Sequence, residues 1–349
     1  MQKRGLISSS RAILLTLSLT MGLSASELNS SITQIKLPTV PTPIKAIKVI
    51  TIGTTPIKEN KSYFERNKLI VKKGVPPVVE KKVETSIMDD KVGGIINKRV
   101  SAYMQGDLIE VASVKEKLIK AGFQILATYK IDKKGLITSI IFTNDALTKQ
   151  GDKTNRGFAT SLRVLVDKKN KQISITNPLY ISKAFMQDDF QVDASKQAII
   201  ALRGAFSNLK DSVEVLKYHL LPKYHFMTAM PFFKDMIEIA SAKTTNELLE
   251  RVKNAKRSKK NVLFTHKISK DRYVIGVKLH RRTTKFVKKI GYKNAGLLPY
   301  PILIEDGKAK ILNPKYYIAL MYPKLTMSQF MTIASIPDAI EKDCKRRFK

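Results

Sequence analysis

The sequence predicts an α+β fold: two tandem copies of a small domain with a mainly antiparallel sheet, behind a signal peptide and a proline-rich linker. Three observations carry that expectation. The first is internal similarity. Asp107-Leu-Ile-Glu110-Val-Ala-Ser113 returns as Asp235-Met-Ile-Glu238-Ile-Ala-Ser241, and Ile125-Leu-Ala-Thr128-Tyr-Lys130 as Val262-Leu-Phe-Thr265-His-Lys267. Asn155-Arg-Gly157 returns as Asn294-Ala-Gly296, and Asn177-Pro178-Leu-Tyr180 as Asn313-Pro314-Lys-Tyr316. The four blocks keep one order at offsets between 128 and 139 residues. That period is too long for a solenoid unit and long enough for each copy to bury its own core. The second observation is that strand-like segments come as hairpin pairs with helical segments between them, the pattern of an antiparallel α+β domain. The third is an N-terminus that runs from basic to apolar to small residues.

Lys3, Arg4 and Arg11 precede the apolar stretch Ala12 to Leu23, which ends in Leu23-Ser24-Ala25. That order predicts a signal peptide over residues 1–25, cleaved near Ala25, and a periplasmic or secreted mature protein. As a helix the apolar stretch would reach only about 18 Å, against about 30 Å of bilayer hydrocarbon. Residues 26–100 read as a linker, because Pro38, Pro41, Pro43, Pro56, Pro76 and Pro77 interrupt both helix and ladder hydrogen bonding. The first copy spans 101–209. Ser113 is expected to cap a helix over 114–121 that Gly122 stops. Residues 123–131 and 136–143 form a hairpin around Asp132-Lys-Lys-Gly135, and 145–150 a polar helix. A second hairpin joins 159–167 to 172–176 and ends at Asn177-Pro178. A helix over 195–209 closes the unit, with Ile199, Leu202 and Phe206 on one face. A connector, 210–226, leads to the second copy at 227–349. That copy has a helix at 248–255, hairpins at 261–279 and 301–312, and a closing helix over 327–342 interrupted at Pro337. Asp306-Gly307 marks the turn of its second hairpin.

Charge bounds the function. The formal charge is +34, from 63 basic and 29 acidic residues, and the excess is spread over both copies instead of a tail. Such a field draws anions, so an anionic ligand or an anionic membrane surface is the expected partner. Nucleic acid is not expected. Lys256-Arg-Ser-Lys-Lys260 and Lys345-Arg-Arg-Phe-Lys349 are basic, but no array of stacking aromatics accompanies them. The single cysteine, Cys344, excludes an intrachain disulfide and reads as an incidental terminal thiol.

Two stretches carry a resemblance. Lys120-Ala-Gly-Phe-Gln-Ile-Leu126, and Gly296-Leu-Leu-Pro299-Tyr-Pro-Ile-Leu-Ile-Glu-Asp-Gly307 continuing to Pro314, resemble the domain of unknown function 302 family. The first copy has Phe158-Ala-Thr160 where the second has Leu-Leu-Pro, and the second lacks the helix-ending Gly-Phe. The resemblance implies a small α+β fold that tends to pair, here as two copies packed within one chain. It implies no activity.

The expectation for function is an extracytoplasmic, non-catalytic binding protein that uses a basic groove between its repeats. Lys130 and Lys267, which recur in both copies, and Arg281 and Arg282 are the expected ligand-binding residues. His225, Met227 and Met230 sit in the join between copies. Imidazole and thioether suit a soft metal such as Cu(I), so they form a candidate copper site, with a flexible apolar join as the alternative. No cofactor is identified. Asp107/Asp235 and Glu110/Glu238 would serve a hydrolytic enzyme only if they converged in one cleft. A membrane-peripheral scaffold is a further alternative. No nucleophile elbow, zinc helix or phosphate-cradling loop occurs in the sequence.

Overall fold

Helices and strands follow one another in an order that occurs twice. A computed structural model describes residues 95–349 apart from positions 97, 257 and 259; the expected signal peptide and the linker as far as residue 94 lie outside the described residues. In the first half, β3 (Tyr103–Asp107), α1 (Val111–Lys120), β4 (Gln124–Lys130), β5 (Ile137–Thr143) and α2 (Asp145–Gln150) lead to a 3-10 turn at Gly157–Thr160. β6 (Leu162–Asp167), β7 (Gln172–Thr176), α3 (Pro178–Met186) and α4 (Val192–Ala205) complete it. In the second half, β10 (Ile237–Ser241), α5 (Thr245–Asn254), β11 (Val262–Ser269) and β12 (Arg272–Val277) precede two short helices, α6 (Arg281–Thr284) and α7 (Phe286–Ile290). A 3-10 turn at Ala295–Leu297, β13 (Tyr300–Glu305), β14 (Lys308–Ile311), α8 (Pro314–Met321), α9 (Met327–Met331) and α10 (Ile336–Lys345) follow.

The two sheets share one strand order. The first reads β3-β7-β6-β5-β4 and the second β10-β14-β13-β12-β11, every pairing among them antiparallel. This is the α+β class the hairpin pattern predicts. The span read as a connector is built into the fold. β8 (Lys210–Asp211) adds to the edge of β3, and β9 (Val215–Lys217) forms a three-stranded sheet with β1 (Ile95–Ile96) and β2 (Arg99–Ser101), at the end of the expected linker.

Both sheets are covered on two sides. All residues of β5, β6 and β13 are buried, as in strands flanked on both faces. Part of the cover comes from the opposite half. The turn Gly157–Thr160 packs on β12 and β13, and the turn Ala295–Leu297 on β6 and β7. A Cβ built on Gly157 would lie 2.5 Å from Leu303 Cδ1 and 2.9 Å from Ile268 Cδ1; one on Gly296 would lie 2.9 Å from Tyr103 Cε1. These are the glycines of the repeated Asn-x-Gly blocks. Each lets its turn approach the other half's sheet, so the contact is reciprocal, like an isologous interface. Polar bonds tie the same junction: Tyr103 donates its hydroxyl to the carbonyls of Asn294 and Met321, both at 2.9 Å, and Ser139 to that of Leu298 at 2.8 Å.

Helices α3 and α8 begin at the two Asn-Pro pairs, the first of which the sequence marks as the end of a hairpin. The asparagine instead caps: Asn177 accepts from Leu179 N–H and Asn313 from Lys315 N–H, while proline fills the first helical position, where its missing donor costs nothing. All nine residues of α3 are buried, so it has no polar face to show a helical period. Tyr180 on α3 donates to Leu320 O on α8 at 2.6 Å.

The first repeated block is out of register. Asp107 stands opposite Gln172 and Ser241 opposite Lys308, the first residues of β7 and β14, so Asp107 corresponds to Ser241 and not to Asp235. Glu110, not Ser113, is the N-cap of α1, where Thr244 caps α5. A short apolar run reads alike at a strand end and a helix start, so sequence likeness alone does not fix the register of the two blocks. Cys344 is no exposed terminal thiol. It is fully buried on α10, and burial pushes its thiol well above the usual range.

Candidate functional site

The hairpin turn after β4 faces the helices after β12, and between them lies a groove of about 560 Å³. The first half contributes Lys130, Lys133, Lys134 and Lys169; the second contributes Lys278, Arg281, Lys285 and Lys288. Among the described residues the only carboxylate in the lining, Asp132, is occupied locally, accepting from Lys134 N–H at 3.1 Å and Ile137 N–H at 2.9 Å. Among the described residues none of the eight cations has a carboxylate partner. Lys169 lies 5.0 Å above the Tyr292 ring, a cation–π contact from one half to the other.

The sequence places these groups for identifiable reasons. Asp132 closes the β4–β5 turn through its side chain, and Gly135 takes the left-handed conformation (φ 68°) that completes it, which sets Lys133 and Lys134 at the rim. Arg281, Lys285 and Lys288 follow the four- and three-residue spacing of one helical face. His280 caps α6, accepting from Arg282 N–H, as Asn144 caps α2 by accepting from Leu147 N–H.

The floor is apolar: Tyr129, Ile131, Leu279 and Val287 are each less than a tenth exposed. Burial raises the Tyr129 phenol to about 12, offset in part by a hydrogen bond with Thr284 of α6. Burial also raises Tyr292, with Asp132 and Asp167 adding to it. Both phenols are therefore neutral donors at neutral pH. The arrangement supplies positive charge and apolar surface.

The corresponding place across the junction is closed. There Asp152 and Arg272 form an ion pair between halves. Arg272 Nε bonds the buried Glu305 at 2.7 Å, Lys310 approaches the same carboxylate at 3.3 Å, and the Asn155 N–H donates to it at 2.9 Å. The equivalent positions on the open side keep the carboxylate, as Asp167, and lack the other three charges. Ile137 stands opposite Asp167 where Arg272 stands opposite Glu305, Ser174 opposite Leu165 where Lys310 stands opposite Leu303, and Gly291 precedes Asn294 as Asp152 precedes Asn155. Another pairing has a counterpart: His266 meets Thr148 at 3.2 Å where Tyr129 meets Thr284.

Of the expected ligand-binding residues, Lys130 and Arg281 come together in the groove. Lys267 on β11 is not in its lining, and Arg282 lies beside His280 and Lys285 in a neighbouring surface hollow. Lys285 and Lys288 lie close to Arg281 in the sequence and share its basic stretch, whereas Lys133 and Lys134 carry only a turn signal and nothing local in the sequence marks Lys169, Lys278 or the apolar floor. His225 packs its ring 4.4 Å from Phe232, with Nδ1 turned to Lys223 O at 3.5 Å. Met227 is 41% exposed, whereas Phe233 is buried in the core and Met230 packs half-buried against it, so the join is in part the apolar packing expected as the alternative. Among the described residues no group of three or more His, Cys, Asp or Glu side chains is placed to hold a metal. Three of the four repeated carboxylates are engaged within their own halves: Glu110 with Lys168 at 2.8 Å, Glu238 with Lys308 at 3.4 Å, and Asp235 with Phe232 N–H at 2.9 Å. The C-terminal basic cluster is partly internal, since Arg347 is buried and its Nε donates to Asp343 O. No helix among the described residues is long and apolar enough to cross a membrane. No family model, curated protein or solved structure matches the chain.

Proposed function

We propose that this protein acts by binding an anionic ligand in the groove between its two halves. The observation that carries the reading is the lining itself: eight cations from both halves face one carboxylate that is already hydrogen-bonded. Like charges gathered without partners repel one another, and an anion relieves that repulsion. The asymmetry of the junction supports it, because the opposite side spends its charges on a closed ion cluster. The same reading takes the halves as copies of one domain, related to the domain of unknown function 302 family. Shared element order, shared strand order and the reciprocal glycine contacts support the likeness of the two halves, while the family kinship rests on the Gly-Phe and Leu-Leu-Pro stretches of the sequence. Export to the periplasm or beyond rests on the order of residues 1–25.

The test is calorimetric titration with octyl phosphate at low ionic strength. Lys130→Glu/Arg281→Glu should weaken binding at least tenfold, since each exposed charge contributes up to about 1 kcal/mol and each is reversed here. Lys267→Glu/Lys260→Glu, the same charge change outside the groove lining, should leave affinity within about twofold. Equal effects from both variants would reduce the groove to a share of the general surface field and refute the assignment.

A further inference from the structure

The groove separates its charge from its apolar surface. Lysine and arginine heads stand at the rim, whereas the bottom is carbon: Ile131, Leu279 and Val287 are 8%, 2% and 2% exposed, and Leu136 lies at the edge at 39%. A small hydrated anion drawn to that floor would lose water and find few donors there, which is costly. An anion held only at the rim would leave the apolar floor wet. A ligand with an ionised head and an apolar body satisfies both parts at once. The volume, about 560 Å³, lies in the range of pockets that bury most of an organic ligand. Resting on the anion-binding reading above, we propose that the ligand is an anionic amphiphile, a single apolar chain or ring system carrying a phosphate, sulfonate or carboxylate. Its head meets Lys130, Lys133, Arg281 and Lys285, and its body lies along Ile131, Leu136, Leu279 and Val287.

Such an amphiphile has two sources, a bilayer lipid or a free molecule. The experiment is a titration of the mature chain with alkyl phosphates of increasing length, below their aggregation concentrations, beside inorganic pyrophosphate. Each buried methylene should tighten binding about threefold to fourfold, the factor that corresponds to about 0.8 kcal/mol, until the floor is covered. Leu136→Ser, at a position exposed enough to tolerate it, should weaken dodecyl phosphate about threefold to tenfold and leave pyrophosphate unchanged. Affinity independent of chain length, with pyrophosphate bound as tightly as dodecyl phosphate, would overturn the amphiphile while leaving the anion-binding reading intact. Absence of binding by every anion would overturn both. Vesicles of phosphatidylglycerol distinguish the sources: cosedimentation that competes with dodecyl phosphate names a bilayer lipid, and its absence alongside chain-length-dependent binding names a free amphiphile.

Discussion

Gly157→Ala tests whether the two halves are locked by their reciprocal turns. The added Cβ would fall 2.5 Å from Leu303 Cδ1, 2.9 Å from Ile268 Cδ1 and 3.3 Å from Val274 Cγ2, all belonging to the opposite half. Leu303 and Val274 are fully buried, so neither can swing into solvent. Gly157 does not need a positive φ, which leaves steric overlap as the source of the cost. Overpacking of this kind costs about 1–3 kcal/mol. At about 2–4 °C per kcal/mol for a folded unit of this size, Tm should fall by about 2–12 °C. Gly296→Ala should behave alike, because its Cβ would press Tyr103 from 2.9 Å and loosen the phenol's bonds to Asn294 and Met321. Gly204→Ala is the control. Nothing lies within 4 Å of its Cβ and it sits inside α4, so alanine should stabilise by about 0.5–1 kcal/mol. Differential scanning calorimetry of the three variants gives the comparison. If Gly157→Ala and Gly296→Ala match or exceed the parent while Gly204→Ala behaves as stated, the turns are not packed as described.

Three other outcomes follow from the same contacts. Glu305→Gln removes the buried carboxylate that compensates Arg272 and Lys310, and should cost about 3 kcal/mol in chemical denaturation; a loss under about 1 kcal/mol would mean the cluster is solvated. Burial holds His266 below the usual histidine value, so the unfolded chain takes up the proton first: the stability it contributes is complete above about pH 6.5 and is lost as pH falls below that. His266→Tyr, which copies Tyr129, should remove that component from a Tm-versus-pH curve, and an unchanged curve would place the sensitivity elsewhere. Cys344, buried with its thiol pKa raised, should resist iodoacetamide in the native protein and react on unfolding; rapid native labelling would contradict the packing of α10.

Much of the fold was legible because its signals are local. The two hairpins of each half, the Asp306-Gly307 turn with both residues at positive φ, and the helix end at Gly122 all follow from alternation and turn chemistry within a few residues. The buried helices α3 and α8 were not read, since an element apolar on every side lacks the period that reveals a helix; their Asn-Pro caps were the available signal. The groove was half legible. Lys130 and Arg281 stand out as charges, but what joins them is the packing of β4 beside β11 and of each turn on the opposite sheet, contacts between residues more than a hundred positions apart. The repeated glycines carried that information, and its physical meaning, a close approach between halves, required the neighbour that approaches.

The most direct test of the groove as the binding site is hydrogen exchange of the protein with and without octyl phosphate. The account predicts slowed exchange together in residues 129–136 of the first half and 278–292 of the second, and no change around 262–269. Protection confined to one half, or centred on the loop holding His225, Met227 and Met230, would contradict it.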